Sequence, residues 1–107
     1  MRYNSGVMRP IPFGPDPKLV AAFCRRHGIR RLAVFGSAIR DELRPESDLD
    51  VLVEFIPGRP VGLRFITIQD ELTELFGRKV DLNTPGFLSP HFRDDVMAEA
   101  VPLYDAA

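Results

Sequence analysis

The chain has 107 residues, enough for one domain with its own core and no need of disulfides or a structural metal. Its 14 Lys and Arg stand against 15 Asp and Glu, a formal net charge of −1, which argues against a surface built to hold duplex DNA. A single cysteine, Cys24, excludes an internal disulfide and fits a reducing compartment. The opening "MRYNSGVMRPIPFGPDP" lacks the apolar core of a secretion signal, and no run approaches the ~18 apolar residues of a membrane span. The expectation is a cytoplasmic protein that binds neither membrane nor DNA.

Residues 1–15 carry Pro10, Pro12 and Pro15 with Gly6 and Gly14, which predicts an irregular N-terminal arm. The domain is expected over 16–107. Asp16 suits an N-cap, Pro17 the first helical position and Gly28 the residue after the helix end. Leu19, Val20, Phe23 and Cys24 share an apolar face between them. "IRRLAVFG" then reads as a short buried strand, and "SAIRDELRP" as a short helix closed by Pro45. "DLDVLVEFI" is a second strand, broken by Pro57-Gly58. In "VGLRFITIQDELTELFG" the residues Phe65, Ile68, Leu72, Leu75 and Phe76 recur at helical spacing, and Gly77 ends the helix. "RKVDLNTPG" holds a third strand, and Ser89-Pro90 starts a last helix over roughly 90–99. The predicted class is α/β, a small mixed β-sheet with flanking helices.

Chemistry concentrates in "FGSAIRDELRPESDLDVLVEF". Asp48 and Asp50 are two apart on a strand, so both project to one face while Leu49, Val51 and Val53 project to the other. Two adjacent carboxylates repel unless a cation lies between them. Mg²⁺ is a hard cation that takes carboxylates and substrate phosphates as ligands. Asp81, between the apolar Val80 and Leu82, offers a third carboxylate from a neighbouring strand. Three such acids suffice for two ions that activate one oxygen and stabilise another in phosphoryl or nucleotidyl transfer. Gly36-Ser37, where a strand turns into a helix, is a place for phosphate: backbone N–H groups point forward, glycine allows close approach, and the hydroxyl adds a donor. Gly-Ser at this fixed distance before Asp-x-Asp arises by chance on the order of once per 10⁵ start positions.

Gly36-Ser37 followed after the gap by Asp48-Leu49-Asp50, with "RKVDLNTPGFLSP" and "AEAVPLY" beyond, resembles the minimal nucleotidyltransferase domains of the DNA polymerase β-like superfamily. The resemblance implies that fold, with Asp48, Asp50 and Asp81 as catalytic, metal-binding acids. It implies Gly36, Ser37, Arg40 and Ser47 at the nucleotide, ATP as substrate and a pair of Mg²⁺ ions. Small members of the family are commonly antitoxins of a HEPN-domain ribonuclease, and the implied reaction is adenylylation of a toxin tyrosine within a hetero-oligomer. Asp41 departs from the family, where a small residue is usual; on the short helix it is expected to face solvent. Arg40 reads equally as a phosphate partner or a surface residue, and Lys79 as a solvated strand-end residue.

His27 and His91 lie too far apart to form a paired metal motif, Cys24 reads as core, and Tyr3 and Tyr104 read as bystanders. Roughly 90 residues provide a nucleotide site but no second wall for a small-molecule acceptor. This favours an acceptor site supplied by a partner protein. Two alternatives stay open: an antitoxin that acts by binding alone, and transfer to a small-molecule alcohol. Phe87 and Leu88 in "TPGFLSP" read either as a docking surface beside the cleft or as core.

Overall fold

The computed structural model describes residues 14–36, 47–58 and 60–106. Helix α1 (Pro17–His27) leads into β1 (Ile29–Phe35). Strand β2 (Leu49–Phe55), helix α2 (Arg64–Phe76) and strand β3 (Val80–Asn83) follow. A single 3₁₀ turn (Pro85–Phe87) then precedes α3 (Arg93–Glu99) and β4 (Val101–Asp105). The N-terminal arm up to residue 13 and the expected short helix over 37–45 lie outside the described residues.

The termini of α1 follow from local chemistry. Asp16 Oδ1 accepts from the Lys18 N–H at 2.8 Å, Pro17 occupies the first turn, and Gly28 closes the helix at φ 67°. Helix α2 ends the same way at Gly77. The strands form one mixed sheet in the order β3-β2-β1-β4, with β2–β3 parallel and the other pairs antiparallel.

The sheet buries both faces, unequally. Leu32, Val34, Leu49, Val51 and Val53 meet α1 and α2 through Val20, Phe23, Cys24, Ile68, Leu72 and Phe76. This is the larger core, and burial there raises the Cys24 thiol to about 12, so it stays a neutral packing group. The opposite face carries a smaller cluster of Ala33, Leu52, Leu88 and Ala100, with Val96 and Met97 of α3 against it. The acid-bearing face is therefore not left open; α3 covers its middle.

Two further readings change. Strand β4 was not anticipated, and Tyr104, read as a bystander to the chemistry, is buried within it. Pro102 is tolerated because β4 lies at the sheet edge, where a missing donor breaks no second ladder. A register shift between Leu32 and Ala33 lets consecutive Leu103 and Tyr104 join the same core. Helix α3 starts at Arg93; Ser89 and Pro90 instead open a turn in which Ser89 O accepts from Phe92 and Arg93.

Phe87 and Leu88 part company. Leu88 is 8% exposed in the smaller core, whereas Phe87 is 68% exposed and meets only the edge of the Phe65 ring, centroids 5.4 Å apart. Leu88→Ala should cost about 2 kcal/mol or more. Phe87→Ala should cost no more than about 1 kcal/mol, the worth of an exposed aromatic pair. Urea denaturation of the two variants checks this; equal losses would contradict the split.

Charged groups tie the elements together at the end of the sheet remote from the acids. Glu54 of β2 receives Arg30 and Arg31 of β1, and Arg31 Nε lies 4.0 Å from Asp105 of β4. On the larger-core side, His27 Nε2 of α1 lies 3.2 Å from Glu71 Oε1 of α2, and Arg26 Nη2 lies 3.1 Å from the same oxygen. The His27 hydrogen bond, then its charge, and then Arg26 hold the Glu71 carboxyl below the usual carboxylate range. A lowered folded pKa means stabilisation that is present above the unfolded value and lost as pH falls through the folded one. Glu71→Gln should therefore lower the Tm at pH 7, and the difference should vanish at pH values below the Glu71 titration. Melting curves at both ends of that range test the sign.

Candidate active site

Strand β1 ends, β2 begins and β3 begins at one edge of the sheet, and the acids gather there. β1 leaves the sheet at Gly36, which adopts φ 71°. Phe35 is the strand partner of Asp50 on β2, and Asp50 is in turn the parallel partner of Asp81 on β3. Residues in register on neighbouring strands project to the same face, so the sheet brings both acids to one face on strands whose backbones are about 4.8 Å apart. At the far end of the same sheet an acid is matched with arginines; at this end it is matched with another acid.

Gly36 has two reasons to be glycine. Its positive φ strains any L side chain. In addition, a Cβ at this position would overlap Asp50 Oδ2. The space that the sequence reading gave to a phosphate is thus shared with the Asp50 carboxylate, which lies directly against the glycine.

Asp48 does not join them. It precedes the β2 ladder, its side chain is 48% exposed, and its Oδ2 lies 3.9 Å from Lys79 Nζ. Among the described residues no group of three or more His, Cys, Asp or Glu side chains is arranged to hold a metal ion. Strand register brings Asp50 and Asp81 onto neighbouring positions, and Asp48, the third acid of the expected set, lies ahead of the ladder. The physical reason is that the ladder fixes the first two, while Asp48 lies ahead of it beside the Lys79 ammonium. The donor chemistry of the in-register pair, two carboxylates and no soft ligand, fits a hard divalent cation.

Ser47 is half-buried, and its carbonyl oxygen lies 3.5 Å from Arg78 Nη1. The Leu49 N–H donates to Lys79 O at 2.9 Å. Arg78 and Lys79 thus hold the 47–49 segment that carries Asp48. The Lys79 side chain is 76% exposed just ahead of β3, as a solvated strand-end residue should be; it is the Lys79 carbonyl and the Arg78 guanidinium that bond this segment. Ser37, Arg40 and Asp41 lie outside the described residues. His27 is committed to Glu71, and His91 is exposed with no metal-type neighbours among the described residues. Among the described residues no helix is long and apolar enough to cross a membrane.

Comparisons with known proteins bear on the family and the fold. A family model described as a nucleotidyltransferase domain matches residues 17–103. The protein adenylyltransferase MntA of Thermococcus cleftensis is 38% identical across 71% of this chain and 76% of its own length. A Methanocaldococcus jannaschii protein, provisionally named a protein adenylyltransferase, is 38% identical across 73% of this chain and 83% of its own length. A solved structure provisionally named a minimal nucleotidyltransferase superposes with a TM-score of 0.69 at 41% identity, over 81% of this chain and 88% of that one. A toxin–antitoxin structure with AMP-PNP shares the fold at 16% identity, with a TM-score of 0.67 over 84% of this chain and 73% of that one. A sheet that ends in a glycine against an acid, with a second acid in register beside it, is accounted for by one conclusion: the chain belongs to the nucleotidyltransferase domain family.

Proposed function

We propose that this chain transfers AMP from ATP to a tyrosine hydroxyl of a partner protein, a HEPN-domain ribonuclease toxin, and so acts as its antitoxin. In this reaction the tyrosine hydroxyl loses its proton to water, its oxygen forms a bond to the α-phosphorus, the bond from that phosphorus to the α,β-bridging oxygen breaks, and pyrophosphate leaves with that oxygen. The observation that carries the reading is the register of Asp50 with Asp81 beside Gly36. Relatives named as protein adenylyltransferases support a protein acceptor.

Asp50 and Asp81, with Asp48 as a third acid ahead of the ladder, would hold Mg²⁺; Gly36, Ser37, Arg40 and Ser47 would hold the nucleotide. Bound magnesium supplies positive charge to the attacking and leaving oxygens. The residues of this chain do the rest by placement. Asp50 is fixed by its ladder on two sides and by Gly36 behind it. The exposed rim at Asp48 and Asp81 leaves room for a segment of another chain to enter. The acceptor must reach within about 3–3.5 Å of the α-phosphorus, so the partner must insert its target there.

Incubation with the protein encoded by the neighbouring gene, ATP and Mg²⁺ tests the proposal. Intact-mass spectrometry should show the partner gaining AMP, and fragmentation should place it on tyrosine. A partner that is neutralised with no change in mass would replace catalysis with binding alone. Transfer only to a small alcohol would replace the protein acceptor.

A further inference from the structure

Strand β3 is a sheet edge four residues long, yet it must hold Asp81 in register with Asp50. Among the described residues only one side of it pairs with another strand. On the open side, the Val80 N–H donates to Thr73 Oγ1 at 3.1 Å and the Leu82 N–H donates to Gln69 Oε1 at 3.0 Å. These two donors flank Asp81. Gln69 and Thr73 are four apart on α2, so they share a helix face and are separated by about 6 Å of helix rise. Val80 and Leu82 are two apart on a strand, separated by about 6.6 Å. The two spacings match, and α2 therefore takes the place of a missing neighbouring strand along Asp81.

We infer that Gln69 and Thr73 are positioning residues that fix Asp81 beside Asp50 for the reaction proposed above, on which this inference rests. Neither is expected to touch nucleotide. Both are polar residues beside the buried Ile68, Leu72 and Phe76 of α2. A role confined to blocking strand addition at an open edge is the competing account. The two differ in whether the metal site notices the loss.

The test compares Thr73→Val and Gln69→Leu, which keep shape and lose the acceptor, with Thr73→Ser and Gln69→Glu, which keep one. Amide exchange at Val80 and Leu82 reports the bonds. Mn²⁺ titration, followed by paramagnetic broadening of the Asp50 and Asp81 amide signals, reports the site without requiring turnover. Thr73→Val with Gln69→Leu should remain folded by melting, lose protection at both amides and need roughly tenfold more Mn²⁺, the usual cost of losing a partner one layer behind a ligand. Thr73→Ser should restore both readouts. Lost protection with unchanged Mn²⁺ response would overturn the inference and leave edge capping alone. A parent protein whose Asp50 and Asp81 signals ignore Mn²⁺ would overturn the metal reading and the positioning role together.

Discussion

Asp50→Asn is expected to abolish nucleotide transfer while the chain stays folded. The substitution keeps the shape of the side chain, so Gly36 and Phe35 retain their neighbour. It removes one of two carboxylates set in register at the sheet edge. A metal-supplied charge is worth several kcal/mol at the reacting oxygens, and each ~1.4 kcal/mol is a factor of ten in rate. A loss of about a thousandfold or more follows. Stability should move the other way or not at all, because like charges directly opposed across strands cost roughly 0.2–1 kcal/mol and asparagine relieves this. Asp81→Asn should behave alike. Transfer to the partner, followed by mass spectrometry beside a metal-free melting curve, checks both halves. Full activity in either variant would remove that acid from the site.

Gly36→Ala should damage fold and activity together. At φ 71° an alanine carries backbone strain of about 1–3 kcal/mol. Its Cβ would also occupy the position of Asp50 Oδ2, so the carboxylate must move off the register it shares with Asp81. For a domain of this size each kcal/mol lowers the Tm by about 4–8 °C. Adding Asp50→Ala separates the two costs. The double variant should recover the overlap but not the φ strain, leaving a coupling energy of roughly 1 kcal/mol between positions in contact. If the two losses simply add, the overlap with Asp50 is not what demands glycine.

The elements that were legible in the sequence are those whose signal is local. Asp16-Pro17 and Gly28 mark α1 because capping involves only neighbouring residues. The apolar run before Gly36 and the alternation around Asp48 and Asp50 mark β1 and β2. What stayed hidden depends on partners far along the chain. Strand β4 carries Pro102, and only its edge position makes that proline harmless. Leu88 and Phe87 are adjacent and equally apolar; the fold of α3 onto the sheet separates core from surface. The nature of the acids was readable, and so was the idea that Asp81 joins from another strand. That Asp81 pairs with Asp50 while Asp48 lies beside Lys79 is a matter of register, which no single segment encodes.

The pairing of β4 with β1 has a consequence for synthesis on the ribosome. β1 is an interior strand, flanked by β2 on one side and β4 on the other. Its second partner, residues 101–105, is translated long after Phe35. At ~5–20 residues per second the nascent chain spends several seconds with one edge of β1 unpaired. The strand left open is rich in Leu, Ala and Val, the composition that recruits foreign strands. Arg30 and Arg31, placed at its start, are the charges available to discourage such pairing until Asp105 arrives to meet Arg31.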